Sequence, residues 1–184
     1  PVRLRTTFQD QINEEYANTT FVGNSDELDL VSKYFATNLF TMWGVDQGLI
    51  DYNGQDMIPP EFLDTFTKQV TGNLFFQYAQ VIEKYGAENL PIVTSVDAVL
   101  DSESWIEYNG ADYDSYTMKV IMHYQDGTIE GTQNTDYAKT NELLQQWVYS
   151  AEVDFFWVPG EEEGTGQWRV GAMKYVENIA NATA

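Results

Sequence analysis

Between Gly86 and Ile92 the spacing of apolar residues changes from helical to alternating, and that change limits the folds open to this chain. Before it, apolar positions recur every three or four residues. After it they recur every two. Residues 7–17 (TFQDQINEEYA) predict a short polar helix. In residues 24–43, Leu28, Val31, Phe35, Leu39 and Met42 form one apolar stripe. Asn24 stands as N-cap with Glu27 three residues on, in capping-box relation. Gly44 and Gly48 end that pattern, and residues 45–58 read as loop. Pro59-Pro60 opens the next helix, with Phe62, Phe66 and Val70 on its face. Gly72 is expected to break it. Leu74, Phe75, Tyr78, Val81 and Ile82 carry the pattern on to a C-cap at Gly86.

The second half predicts strands. IVTSVDAVL (92–100), WIEY (105–108) and DSYTMKVIMHYQ (114–125) alternate, and Asn109-Gly110 marks a turn between the last two. Asp126-Gly127 turns toward a strand at 128–133, and 135–145 reads as a helical or irregular link. WVYSAEVDFFW (147–157) places Trp147, Tyr149, Ala151, Val153, Phe155 and Trp157 on one face. Val148, Ser150, Glu152, Asp154 and Phe156 fall on the other. The polar loop 159–166 leads to a returning strand, QWRVGAMKYVE (167–177). Helices followed by antiparallel strands predict an α+β fold, a curved sheet with the helices on one face. We read one domain: a lead-in (1–23), a helical half (24–86), a sheet half (91–177) and a tail (178–184).

This order of elements over residues 24–177 resembles the nuclear transport factor 2-like (cystatin-like cone) superfamily. There, N-terminal helices lie across a bent sheet of about four strands. The resemblance rests on element order and strand length. It implies a cone that is either filled or holds a ligand, and the fold serves many unrelated functions.

Charge narrows the partners. The formal net charge is −20, with only nine Lys and Arg, and such a surface repels nucleic acid and anionic lipid. Protein partners remain, a second copy of the chain among them. The absence of cysteine excludes disulfides and thiolate chemistry. No apolar run is long enough to span a membrane. The chain opens PVRLRTTF, with Arg3 and Arg5 near its start, so a membrane anchor upstream of Pro1 is expected.

Candidate chemistry is sparse. The single histidine, His123, alternates onto the face shared with Thr117, Lys119, Ile121 and Gln125, away from Tyr116, Met118, Val120, Met122 and Tyr124. It is expected at the surface. Asp97 shares a face with Val93, Ser95 and Val99. Turned inward it would be a carboxylate of raised pKa suited to proton transfer, and turned outward an ordinary surface acid. An enzyme built on this chain would use Asp97 and His123 with Tyr108 or Tyr124. It would need a buried ionisable group facing a cavity of some hundreds of Å³. Asp51, Asn53 and Gln55 match the first spacings of a calcium loop, but Asp56 and Phe62 stand where it needs Gly and Glu, and Glu61 comes one residue early. With Asp46, these acids are weak candidates for a hard cation. No cofactor motif is present. Five Trp, twelve Tyr and ten Phe exceed the needs of a small core, and Trp105, Phe156 and Trp168 are expected to form an exposed patch for a partner.

The expectation is a non-enzymatic assembly or binding domain, the extracytoplasmic part of a membrane-anchored bacterial protein. The scaffold subunits of conjugative type IV secretion systems are similar in architecture. The alternatives are a small-molecule cone, acting as carrier or as cofactor-free isomerase or dehydratase, and an extracellular or phage structural domain.

Overall fold

A computed structural model describes residues 7–41, 52–86, 90, 92–124 and 148–178. The expected strand at 128–133, the link at 135–145, Arg3, Arg5, Met42, Gly44, Asp46, Gly48, Asp51, Trp147 and the end of the tail lie outside these residues. The fold is α+β. Helices α1 (Thr7–Asn18), α2 (Leu28–Phe40), α3 (Pro60–Phe66) and α4 (Gly72–Tyr85) precede strands β1 (Val93–Tyr108), β2 (Ala111–Tyr124), β3 (Val148–Pro159) and β4 (Gly166–Asn178). The strands form one open antiparallel sheet in the order β1-β2-β3-β4.

Period-two alternation puts Met118, Val120, Met122, Ala151, Val153, Phe155, Trp168 and Val170 on the face that meets the helices, and all are buried. From above, α2 buries Leu28, Val31, Phe35 and Leu39 against them. The Phe35 ring meets those of Phe155 and Phe66 edge-on, at 6.1 and 6.0 Å. Among the described residues, α2 and the sheet meet through these packed side chains. Polar α1 docks on α2 by a different means. The Gln9 amide donates to Asn38 (3.1 Å), the Asn38 amide donates to Asn13 (2.7 Å), and Tyr16 stacks on Tyr34 at 3.7 Å.

Gly72 does not end the helix begun at Pro60. A π turn (Thr67–Thr71) joins α3 to α4, and the helix runs on to Gly86, whose N–H caps Ile82. The apolar spacing supplies the reason. Phe62, Phe66, Val70, Leu74, Tyr78 and Ile82 recur every four residues, and each such step drifts about 40° around an α-helix. The wider π turn rotates less per residue and takes back part of that drift, so Phe66, Val70, Leu74 and Tyr78 are all buried.

The hairpin turn is tighter than the expected gap between 108 and 114. β1 and β2 are continuous to Tyr108 and from Ala111, and Asn109 and Gly110, both at positive φ (51° and 76°), complete a two-residue turn. The capping box at Asn24 and Glu27 is present, followed by a short 3₁₀ turn into α2.

The far face of the sheet differs from the expected solvent-facing polar surface. Ser115, Thr117, Ser150, Asp154 and Phe156 are buried there, and the Thr117 hydroxyl donates to Asp154 at 2.5 Å. Helix α3 sits astride the β4 edge. Phe66 turns to the helix side, while Phe62 reaches Phe156 on the far side, with ring centres 6.4 Å apart.

Candidate functional site

Asp97 and His123 meet on the far face of the sheet. Nε2 of His123 lies 2.8 Å from Oδ2 of Asp97, and their side chains are 49% and 74% exposed. The inward alternative for Asp97 is therefore overturned. Val93 is buried while Val99 is exposed, because a register shift between Val93 and Ser95 breaks the alternation that grouped them. The other members of the enzymatic set are elsewhere. Tyr124 sits on the helix side, where burial and then the nearby Tyr78 phenol hold its own phenol well above the usual range. Tyr108 stands at the far end of β1, its ring 5.4 Å from that of Phe156. These four residues do not converge on one cavity. A polar contact this exposed contributes little, at most about 1 kcal/mol.

Of the cation candidates, Asn53 lies in a turn, Asp56 in a 3₁₀ turn and Glu61 in the first turn of α3, all exposed. Among the described residues no three acidic or histidine side chains gather as a metal site.

The aromatic trio divides. Trp105 is 65% exposed, as a partner-binding residue requires. Phe156 and Trp168 are not on the surface, with 0% and 2% exposure. Trp168 lies on the helix side against Trp157 and Tyr116, at 5.4 and 5.9 Å, and its indole N–H donates to Oε1 of Glu27 at 3.1 Å. Glu27 also accepts the backbone N–H groups of Val22, Gly23 and Asn24, at 2.9, 2.8 and 3.1 Å. The capping carboxylate of α2 is thus also the anchor of a β4 tryptophan.

One bulge decides the fates of both Trp105 and Phe156. Leu100 pairs with Met118 and Ser102 with Thr117, so Asp101 is an extra residue in β1. Beyond it the faces exchange. Glu103, Trp105 and Glu107, opposite Tyr116, Asp114 and Asp112, turn to the helix side, where Trp105 projects into solvent. Ile106 and Tyr108 turn to the far side and, with Tyr113, close over Phe156. The close approach there involves Gly171, where a Cβ would lie 2.8 Å from Ile106.

The outer half of the β1–β2 hairpin is the surface that emerges. Leu100 and Trp105 on the helix side and Val99 on the far side, opposite Lys119, are three of the five large apolar side chains exposed among the described residues. Around Trp105 stand Asp101, Glu103, Glu107, Asp112 and Asp114, and no Lys or Arg occurs from Val93 through Met118. The potential reaches Tyr116, whose phenol is raised by burial first and then by Asp114 and Glu103. Sequence reasoning singled out Trp105 but not its setting. The signal available was the acidic, lysine-free run on either side of it.

Two clefts are formed by described residues. One, of about 370 Å³, separates Tyr16, Thr19, Thr20 and Phe21 from the β3–β4 hairpin at Gly164–Trp168. The other, of about 120 Å³, lies between α3 and Gly171–Met173. Neither is lined by Asp97 or His123. No protein-family model, curated protein or solved structure gives a significant match to this chain.

Proposed function

We propose that this chain is a non-enzymatic protein-interaction domain that docks a basic partner on the outer half of its β1–β2 hairpin. The observation that carries the reading is Trp105, a 65% exposed indole among carboxylates on a strand that continues into the folded sheet. Exposed tryptophan is costly to solubility and is the residue type that most often anchors interfaces. Carboxylates around it steer cationic partners and repel acidic ones. An indole face also accepts a Lys or Arg side chain directly. Helices on one face of an open four-stranded sheet support the finer part of the proposal: a nuclear transport factor 2-like cone, filled with side chains, serving as the extracytoplasmic scaffold domain of a membrane-anchored bacterial protein.

The test is retention of the protein on immobilised peptides graded from basic to acidic. Basic peptides retain it, about 0.5 M salt releases it, and Trp105→Ala weakens retention at least tenfold. Equal retention of the Trp105→Ala variant sinks the reading. A small-molecule carrier is the second reading, and the 370 Å³ cleft favours it. Ligand binding would then perturb the NMR signals of Tyr16 and Trp168 and leave Trp105 unchanged.

A further inference from the structure

We propose that the free edge of β1, between Ser102 and Glu107, accepts an extended Lys/Arg-rich segment of a partner protein as a fifth strand. The inference rests on the docking reading above and specifies how the partner is held.

The two edges of the sheet are not equivalent. Along β4, α3 sits over the edge, with Phe62 reaching Phe156 at 6.4 Å and a small cleft between Phe62, Thr65 and Phe66 on one side and Gly171, Ala172 and Met173 on the other. At the other edge, β1 pairs with β2 alone, and among the described residues no strand pairs with its free side. The near end of β1 is tied to the helical layer, where the Val93 N–H donates to the Thr41 hydroxyl at 3.1 Å. Past the bulge β1 meets a helix at its far end, where the Tyr108 ring lies 6.1 Å from that of Phe62. Asp101, Ser102, Glu103, Ser104, Trp105 and Glu107 are all exposed. In an edge strand every second residue turns its N–H and C=O away from its neighbour, which leaves a template for another strand. Six residues at about 3.3 Å each span roughly 20 Å, the length of an ordinary strand.

Charge selects the occupant. A strand laid beside β1 places alternate side chains beside Glu103, Trp105 and Glu107 on the helix side. Lys or Arg there pairs with the two carboxylates and covers the indole. A second copy of this edge would bring the same acids together, in a chain of net charge −20. Proteins that must keep an edge unpaired place charges along it, chiefly Lys. Here every charge on β1 itself is acidic (Asp97, Asp101, Glu103 and Glu107), so like edges repel and a basic strand is admitted.

The probe is a ten-residue peptide alternating Lys and Thr with blocked ends, added to the full chain. Its controls are the same peptide N-methylated at alternate residues, which cannot pair as a strand, and a version with Glu for Lys. Fluorescence polarisation reads affinity, and amide hydrogen exchange reads pairing. The proposal expects binding of the Lys peptide only and at least tenfold slower exchange at alternate amides of Ser102–Glu107. It also expects at least tenfold weakening by N-methylation, and the same by Trp105→Ala. Equal binding of the N-methylated peptide overturns strand addition and leaves basic docking standing. Failure of both Lys peptides overturns both. Edge protection that grows with protein concentration, without peptide, assigns the edge to a second copy and overturns the proposal.

Discussion

Glu27 shows how much one side chain carries. Its two carboxylate oxygens collect three consecutive backbone N–H groups and the Trp168 indole N–H. Hydrogen bonds to a charged acceptor contribute about 1.5–3 kcal/mol each, and four sharing one acceptor add less than their sum. Glu27→Ala should therefore cost about 2–4 kcal/mol in urea unfolding, with m unchanged, and should free the Trp168 indole proton to exchange. The capping-box role of Glu27 was legible from Asn24 and the three-residue spacing. Its hold on a tryptophan 141 residues away was not, since spacing reports only neighbours in the chain. Tyr52 gives a pH prediction. Burial pushes its phenol up to about 12, and the Thr71 hydroxyl beside it pulls weakly the other way without meeting hydrogen-bond geometry. A phenol raised from about 10 stabilises the fold below pH 10, and that contribution is lost as pH rises through about 12. Tyr52→Phe removes the loss and should move the alkaline unfolding midpoint upward. Tyr16, also pushed up to about 12 by burial and its neighbours Tyr34 and Asp56, continues to limit it.

At the scale of elements, the strand halves of the hairpins and the helical stripes were readable because their periods are local. What period could not place was a break in phase. The four-residue spacing from Phe62 to Ile82 was in the sequence, yet Gly72 suggested a stop where the structure has a π turn. The bulge at Asp101 has the larger consequence, since it sends Trp105 to solvent and Ile106 and Tyr108 over Phe156. Deleting Asp101 restores unbroken alternation and reverses those faces. It should cost about 2–4 kcal/mol, on the scale of an uncovered core aromatic, and should abolish basic-peptide binding. Chemical denaturation and fluorescence polarisation check the two parts separately.

For the whole molecule, charge sets the behaviour. With a net charge of −20 the folded chain repels itself, and salt relieves this. Raising NaCl from 10 to 300 mM should raise Tm, by about 2–4 °C for each kcal/mol of repulsion removed, while weakening basic-peptide binding. Opposite responses to the same salt separate docking from general stabilisation in one titration by calorimetry and polarisation. The sequence by itself determined the α+β order, the helix-facing side of β2 and β3, the outward turn of His123 and the acidic character, because these follow from short-range period and composition. Only the tertiary structure decided that Phe156 and Trp168 are buried, that Asp97 meets His123, and that α3 sits over one sheet edge while no described strand pairs with the other. Each of these depends on register and on contacts between distant segments, and a single extra residue in β1 changes register without altering the local pattern on either side of it.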